Sequence, residues 1–267
     1  MNEQINANRE LWQKLTEVNA ASSFYRLEEF KKGENKLNPL ELGEVGPVTG
    51  KSLLHLQCHF GMDTLSWARL GAKVTGMDFS PLAIELAQSL ARELNLSAEF
   101  ICCNLYDLPT HLQGQFDIVY TSYGVLAWLP DVTRWAEIAA SYVKPGGIFY
   151  IAEFHPFATI FDESTDDFII NFPYFQKDPF LEVAEESYTE DGNKFDPIES
   201  FEWNHPLGEV VSALIGVGLQ IEFLHEFPYS VYRQLKMLKE TPDHIYTFPD
   251  GEAPFPLMYS IRAKKPG

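Results

Sequence analysis

The sequence predicts a doubly wound α/β fold: a mostly parallel sheet of seven strands with an antiparallel last strand, N-terminal helices before it and an insertion after strand five. Three observations predict it. Short apolar runs alternate with amphipathic segments from Ser52 to Glu153. The amphipathic segments carry helix start and stop residues. No well-formed helix of crossover length separates the last two strands, so a hairpin-like antiparallel insertion joins them. A chain of 267 residues with 45% hydrophobic and 14% aromatic content can bury one sizeable core. The expected division is a helical cap over residues 1–50, part of the same domain, and a main body over 51–267 with the insertion at about 156–204.

Leu11, Leu15 and Val18 recur at helical spacing, and a second helix is expected to open at Ser22 or Ser23 and to stop near Gly33. Two helices thus precede the first strand. Then follow strand Ser52 to Gln57, helix Met62 to Leu70, strand Lys73 to Asp78, helix Pro81 to Asn95 and strand Ala98 to Cys103. In the second of these helices Ser80 suits the N-cap, Pro81 stands where its missing N–H costs nothing, and Ala83, Leu86, Ala87, Leu90, Ala91 and Leu94 form one face. Strand Phe116 to Thr121 leads to helix Asp131 to Val143, which Lys144-Pro145-Gly146-Gly147 terminates. The fifth strand is Ile148 to Glu153. After residues 156–204, read as irregular, come a helix marked by Leu207, Val210, Val211, Leu214 and Ile215, a strand Leu219 to Phe223 with one solvated face, and a last strand Leu257 to Ala263.

Residues 156–204 interleave Phe157, Phe161, Phe168, Tyr174, Tyr188 and further aromatics with carboxylates and prolines. A connection this long is functional or disordered, and its aromatic content argues against disorder. It is read as a cover over the site; the alternative use is a subunit interface, hence a homodimer.

A net charge of −18, from 20 Lys plus Arg against 38 Asp plus Glu, repels phosphate backbones and anionic lipid, so neither nucleic acid nor a membrane is an expected partner. The polar stretch Met1 to Glu10 does not read as a signal peptide, and the longest apolar run, Ile148 to Ala152, is too short to span a bilayer. Cys58, Cys102 and Cys103 form neither a paired framework nor a CxxC, so no metal is expected and a reducing cytoplasm fits.

The most informative stretch is Leu53 to Asp63, a strand running through a tight turn into a helix. At such a turn backbone N–H groups and the positive helix end face the crevice where open α/β sheets bind ligands. Asp78 ends the next strand roughly 20 residues on, the separation at which a carboxylate grips ribose hydroxyls. The pairing suggests an adenosine ligand, although a strand-ending Asp also serves as a plain structural cap. A dinucleotide needs three glycines to approach its pyrophosphate; only Gly61 is present, which disfavours NAD. S-adenosylmethionine (AdoMet) carries no phosphate and needs one close approach, and His59 tolerates a left-handed backbone.

Several ordered motifs resemble those of class I AdoMet-dependent methyltransferases of the bacterial small-molecule type. Leu53 to Gly61 resembles their first motif, Val74 to Ser80 their second, and Cys103 to Pro109 their adenine-binding motif; Phe116-Asp117-Ile118-Val119 through Tyr123-Gly124-Val125-Leu126, and Val143 to Gly147, match further ones. The likeness covers about Lys51 to Ala152, with weaker agreement from Leu207 onward. It implies a Rossmann-like fold, Gln57, Cys58 and Gly61 along the methionine part, Asp78 on both ribose hydroxyls, Phe79 against adenine, and Asn104 and Leu105 at the adenine edge, with His59 and Tyr123 also among the cofactor-binding residues. This chain departs by Gln57 and His59 where the pattern has glycine, and by His55 and Asn104 where it has acid. Asn104 can donate and accept toward adenine, so that change is mild.

A sulfonium brings its own leaving group, so alignment and exclusion of water suffice and no strong catalytic motif is required. The candidates at the strand ends are Tyr123, Glu153 and His155, the last as a base, with an ordinary His-Pro turn as the alternative. His205, before Pro206, reads as capping. Tyr25 is a candidate to close over the sulfonium, with core packing as its alternative. The expected function is methyl transfer from AdoMet to a small molecule, leaving S-adenosylhomocysteine. Its rivals are a non-catalytic AdoMet-binding module, excluded by any turnover, and an NAD-dependent oxidoreductase, excluded if the protein leaves NADH fluorescence unchanged.

Overall fold

Three helices, not two, lead into the sheet in the computed structural model, which describes residues 3–189 and 194–267: α1 (Glu3–Asn19), α2 (Leu27–Lys31) and α3 (Pro39–Val45). The third is too short to show a periodicity, but Asn38 holds its N-cap position, Pro39 its first turn, and Gly46 leaves it at φ 74°. Ser22 and Ser23 do not open a helix. The Ser22 hydroxyl turns back onto the Asn19 carbonyl at 2.8 Å, and α2 begins after Arg26, whose backbone is left-handed.

The sheet then builds in the expected order, with a short α6 that was not expected, through β1 (Ser52–Leu56), α4 (Met62–Arg69), β2 (Lys73–Asp78), α5 (Pro81–Glu93), β3 (Ala98–Cys102), α6 (Leu108–His111), β4 (Phe116–Ser122), α7 (Val132–Tyr142) and β5 (Val143–Phe154). Ser80 caps α5, its hydroxyl accepting from the Ala83 N–H. β5 starts earlier than expected, because Val143 pairs with Phe116 before the Pro-Gly-Gly segment and the register shifts past it. The insertion carries β6 (Phe180–Glu186) and β7 (Lys194–Glu202); α8 (Leu207–Gly216), β8 (Gln220–Phe227), β9 (Lys239–Glu240), β10 (Tyr246–Thr247) and β11 (Met258–Lys264) complete the chain.

The seven strands lie in the order β3-β2-β1-β4-β5-β11-β8, parallel except that β11 runs antiparallel to β5 and β8. β8 keeps the one solvated face expected of it. Trp135, Phe149, Val119 and Leu214 are centred in the core on one face; Trp67, Tyr120 and Tyr150 fill the other with Leu37 and Val45 from around α3. Strand order reverses between β1 and β4, so their carboxyl ends open a crevice of the kind in which α/β sheets bind ligands.

Residues 156–204 are less irregular than the sequence suggested. β6 and β7 pair as an antiparallel ribbon that lies along α1. Asn8, almost fully buried, reaches across like a strand residue: its Nδ2 donates to the Phe201 carbonyl and its Oδ1 accepts the Phe201 N–H, both at 2.7 Å. The connection from β8 to β11 folds over Ala158 with Leu235, Leu238, Phe248 and Leu257. Among the described residues no helix is long and apolar enough to cross a membrane, and no group of three His, Cys, Asp or Glu side chains is placed to hold a metal.

Candidate cofactor and acceptor site

The turn after β1 is built from alternate left-handed residues, Gln57 at φ 56°, His59 at φ 50° and Gly61 at φ 78°. For Gln57 and His59 this conformation costs energy, so neighbouring bonds must hold it. They do: the Cys58 N–H donates to the Met77 carbonyl at 2.8 Å, the Gly61 N–H to the Cys58 carbonyl at 2.9 Å, and the His59 N–H to Asp78 Oδ2 at 2.9 Å. Gly61 is obligatory, since a Cβ there would lie 2.8 Å from Phe100 and 2.9 Å from Ala87.

Asp78 therefore faces the turn directly. Its second oxygen accepts the Ser80 N–H at 2.9 Å, and with the Phe79 N–H also directed at it the carboxylate still has an acceptor site left for a ligand. Burial pushes its pKa up to about 6, against the hydrogen bonds from Ser80, His59 and Phe79. Beside it Phe79, Pro81, Cys102, Cys103, Asn104, Asp107, His111 and Arg9 surround a cavity of about 200 Å³. Asn104 Oδ1 takes the Tyr106 N–H at 2.8 Å, which leaves its second lone pair and the Nδ2 donors for other partners. The Leu105 side chain is buried in the main core, so only its backbone can border the cavity.

Gln57 bridges the crevice, its Nε2 donating to the Val125 carbonyl at 3.0 Å while its buried Oε1 has no partner. The Cys58 thiol turns inward, close to Gly76, and burial raises its pKa. His55 is also internal, its Nδ1 2.8 Å from the Thr64 hydroxyl, and burial pushes it down to about 3.

The three candidates at the ends of β4 and β5 are committed to internal partners. Glu153 is buried and accepts N–H bonds from Gly124, from Val125 at 2.8 Å, from Leu126 at 3.1 Å and from its neighbour Phe154 at 2.7 Å. Burial raises its pKa, while these donors favour the anion; the result is a carboxylate that folds the loop after β4 around itself. His155 accepts the Phe157 N–H on Nδ1 at 3.1 Å, so its proton sits on Nε2 and is directed at Glu226, 3.0 Å away on β8. Tyr123 donates its hydroxyl to the buried Glu41 at 2.6 Å, and burial raises that carboxyl to about 7. His205 contacts the Leu129 carbonyl at 2.7 Å rather than capping α8, whose N-cap is Pro206.

The side of the turn away from the sheet is aromatic. Trp12 of α1 packs edge-on to His59 at 5.2 Å and to Trp128 at 5.3 Å, Tyr25 lies 5.6 Å from His59, and Tyr188 of the insertion lies 5.8 Å from Tyr232. Tyr25, which the sequence reading put on the second helix, precedes α2 and packs against the turn residues His59 and Phe60. Trp12, Thr16, Asn19 and Trp128 escaped that reading, because Trp12 lies off the apolar stripe of α1 and nothing local tells a site-facing Thr or Asn from a solvated one.

A family model described as a methyltransferase domain matches residues 53–147. The "Ubiquinone biosynthesis O-methyltransferase" of Escherichia coli O7:K1 is 33% identical over 131 residues, which are 48% of this chain and 54% of the relative. The chain thus spans about half the length of the curated relatives it matches. An S-adenosylmethionine-dependent methyltransferase from Mesorhizobium loti superposes with a TM-score of 0.60 at 19% identity, over 88% of this chain and 100% of the other. One from Clostridium acetobutylicum superposes at 0.58 with 14% identity, over 98% and 99%. Residues 53–147 are a methyltransferase domain, and the mixed seven-stranded sheet has the class I methyltransferase fold.

Proposed function

We propose that this chain transfers a methyl group from AdoMet to a small-molecule acceptor in the cytoplasm. One observation carries the reading: the turn at residues 57–61 and the Asp78 carboxylate are joined by a direct hydrogen bond at the sheet's switch point. The residues fit the cofactor. The partnerless Gln57 Oε1 would accept from its ammonium group, Asp78 from its two ribose hydroxyls, and the cavity beside Phe79 and Asn104 would take the adenine.

When bound, AdoMet supplies an electrophilic methyl on a sulfonium. The chain has then to fix the nucleoside, exclude water and align the acceptor, and alignment of this kind lowers a barrier by roughly 7–11 kcal/mol at best. Glu153 contributes by fixing the loop that meets Gln57 through Val125. The curated relatives are named as O-methyltransferases, which supports oxygen as the accepting atom. A net charge of −18 favours neither nucleic acid nor anionic membranes as partners. The insertion is a cover; its exposed Ile170 and Phe175 would be the contacts of a homodimer, which sedimentation of the pure protein tests. Calorimetry with S-adenosylhomocysteine tests the function: roughly micromolar binding is expected, and no heat at millimolar ligand ends the reading.

A further inference from the structure

Above the turn a chain of side-chain hydrogen bonds runs from the insertion through α1 to His59, and its proton positions follow from its two ends. Thr16 donates its only hydroxyl proton to the Trp12 carbonyl at 2.7 Å, so its 3.3 Å contact with His59 Nε2 requires the proton on Nε2. His59 Nδ1 is then a bare lone pair, and it faces the Tyr25 hydroxyl at 3.4 Å. Tyr25 gives its proton there and must accept one from Tyr188, its other hydroxyl partner. At the far end Asn19 Nδ2 donates to Tyr188 at 2.9 Å, while Asn19 Oδ1 is held by the Ser187 hydroxyl at 2.6 Å. Every proton has one place, and all point from Tyr188 through Tyr25 to His59. The Tyr188 oxygen, donating once and accepting once, keeps one lone pair.

We propose that Tyr188, Tyr25 and His59 are the proton-receiving path for a hydroxyl-bearing acceptor, with Tyr188 touching it. This rests on the methyl-transfer reading and names the acceptor's class. The acceptor O–H donates to the free lone pair of Tyr188. As its oxygen takes the methyl, the carbon–sulfur electron pair stays on sulfur, the acceptor proton moves to Tyr188, the Tyr188 proton to Tyr25, and the Tyr25 proton to His59 Nδ1. One positive charge is lost at sulfur and one appears on the imidazolium, so the charge of the enclosed site does not change, a condition a low-dielectric site favours. Burial keeps His59 neutral beforehand, pushing it down to about 3, and raises both phenols, so the tyrosines pass protons without standing ionised.

The test uses the full chain with catechol as hydroxyl probe and 4-nitrothiophenolate, already ionised, as the probe that needs no proton acceptor. Tyr25→Phe and His59→Asn, the latter keeping a residue that tolerates the left-handed backbone, should lower catechol methylation by roughly 10²-fold or more. The ratio of catechol to thiolate methylation should fall by that factor, with each variant's S-adenosylhomocysteine affinity measured beside it to separate any loss of cofactor binding. A second reading needs no turnover. In the S-adenosylhomocysteine complex, ¹⁵N resonances of His59 should show a neutral ring protonated on Nε2, and Tyr25→Phe should move Nδ1 toward its unbonded value. Equal losses on both probes, an Nδ1-protonated ring, or a chain that binds S-adenosylhomocysteine yet methylates no catechol would each overturn the path and leave the cofactor reading standing. Failure to bind S-adenosylhomocysteine would instead overturn the cofactor reading.

Discussion

Two buried carboxylates end strands on opposite sides of the crevice, and they are used in opposite ways. Asp78, ending β2, is met by the N–H groups of His59, Ser80 and Phe79 and is left with spare acceptor capacity. Glu153, near the end of β5, accepts four N–H groups, which fill its capacity. The β2 side thus keeps acceptor capacity that the proposed reading uses for binding, and the β5 side spends its capacity on holding a loop. Burial at a strand end is common to both acids; what differs is how many of their acceptor sites internal N–H groups already fill.

The comparison breaks first at Asp78. Asp78→Ala should remove two charge-assisted hydrogen bonds to the ribose, each about 1.5–3 kcal/mol, and lower S-adenosylhomocysteine affinity by on the order of 10²- to 10⁴-fold in calorimetry. Affinity unchanged in that variant would mean the ribose lies elsewhere. Glu153→Ala should act on the fold, because it strands buried N–H donors; chemical denaturation should show a loss on the order of 3 kcal/mol. If stability held and only turnover fell, Glu153 would belong with Asp78 after all.

Acidification should separate binding from stability. Asp78 and Asp63 are pushed up to about 6, and Glu41 to about 7, all chiefly by burial. Their pKa values in the unfolded chain lie near 4. Between those limits the folded chain binds more protons than the unfolded one, so lowering pH from 8 to 5 should stabilise the protein without nucleoside, by at most about 1.4 kcal/mol per group and pH unit. Nucleoside affinity should run the other way, falling about tenfold per unit below pH 6 as Asp78 protonates. Affinity and stability rising together on acidification would contradict the assignment. The smallest effect is expected at His155, whose ring is held by Phe157 and Glu226: His155→Gln should change methyl transfer by less than about threefold, where loss of a general base costs roughly 10²–10⁴-fold.

What the sequence carried was local. Ser80-Pro81 started a helix, Asp78 ended a strand, and the Gln57 to Gly61 turn took its left-handed residues within a few positions of one another, so the fold and the meeting of that turn with Asp78 were legible together. The acceptor side was not, because it joins residues far apart in the chain. Asn8 meets Phe201, Asn19 meets Ser187 and Tyr188, and Tyr123 meets Glu41. No periodicity or spacing encodes such pairs; they follow from where the ribbon of β6 and β7 settles on α1. Tyr123, Glu153 and His155 stood at the right strand ends, but whether their polar atoms were free depended on those tertiary partners.

A crystal structure of the full chain with S-adenosylhomocysteine tests the central claim most directly. The account predicts both ribose hydroxyls on the Asp78 carboxylate, adenine between Phe79 and Asn104, and the sulfur facing His59, Tyr25 and Tyr188. A nucleoside seated away from Asp78, or a sulfur turned toward Glu153 and His155, would contradict it.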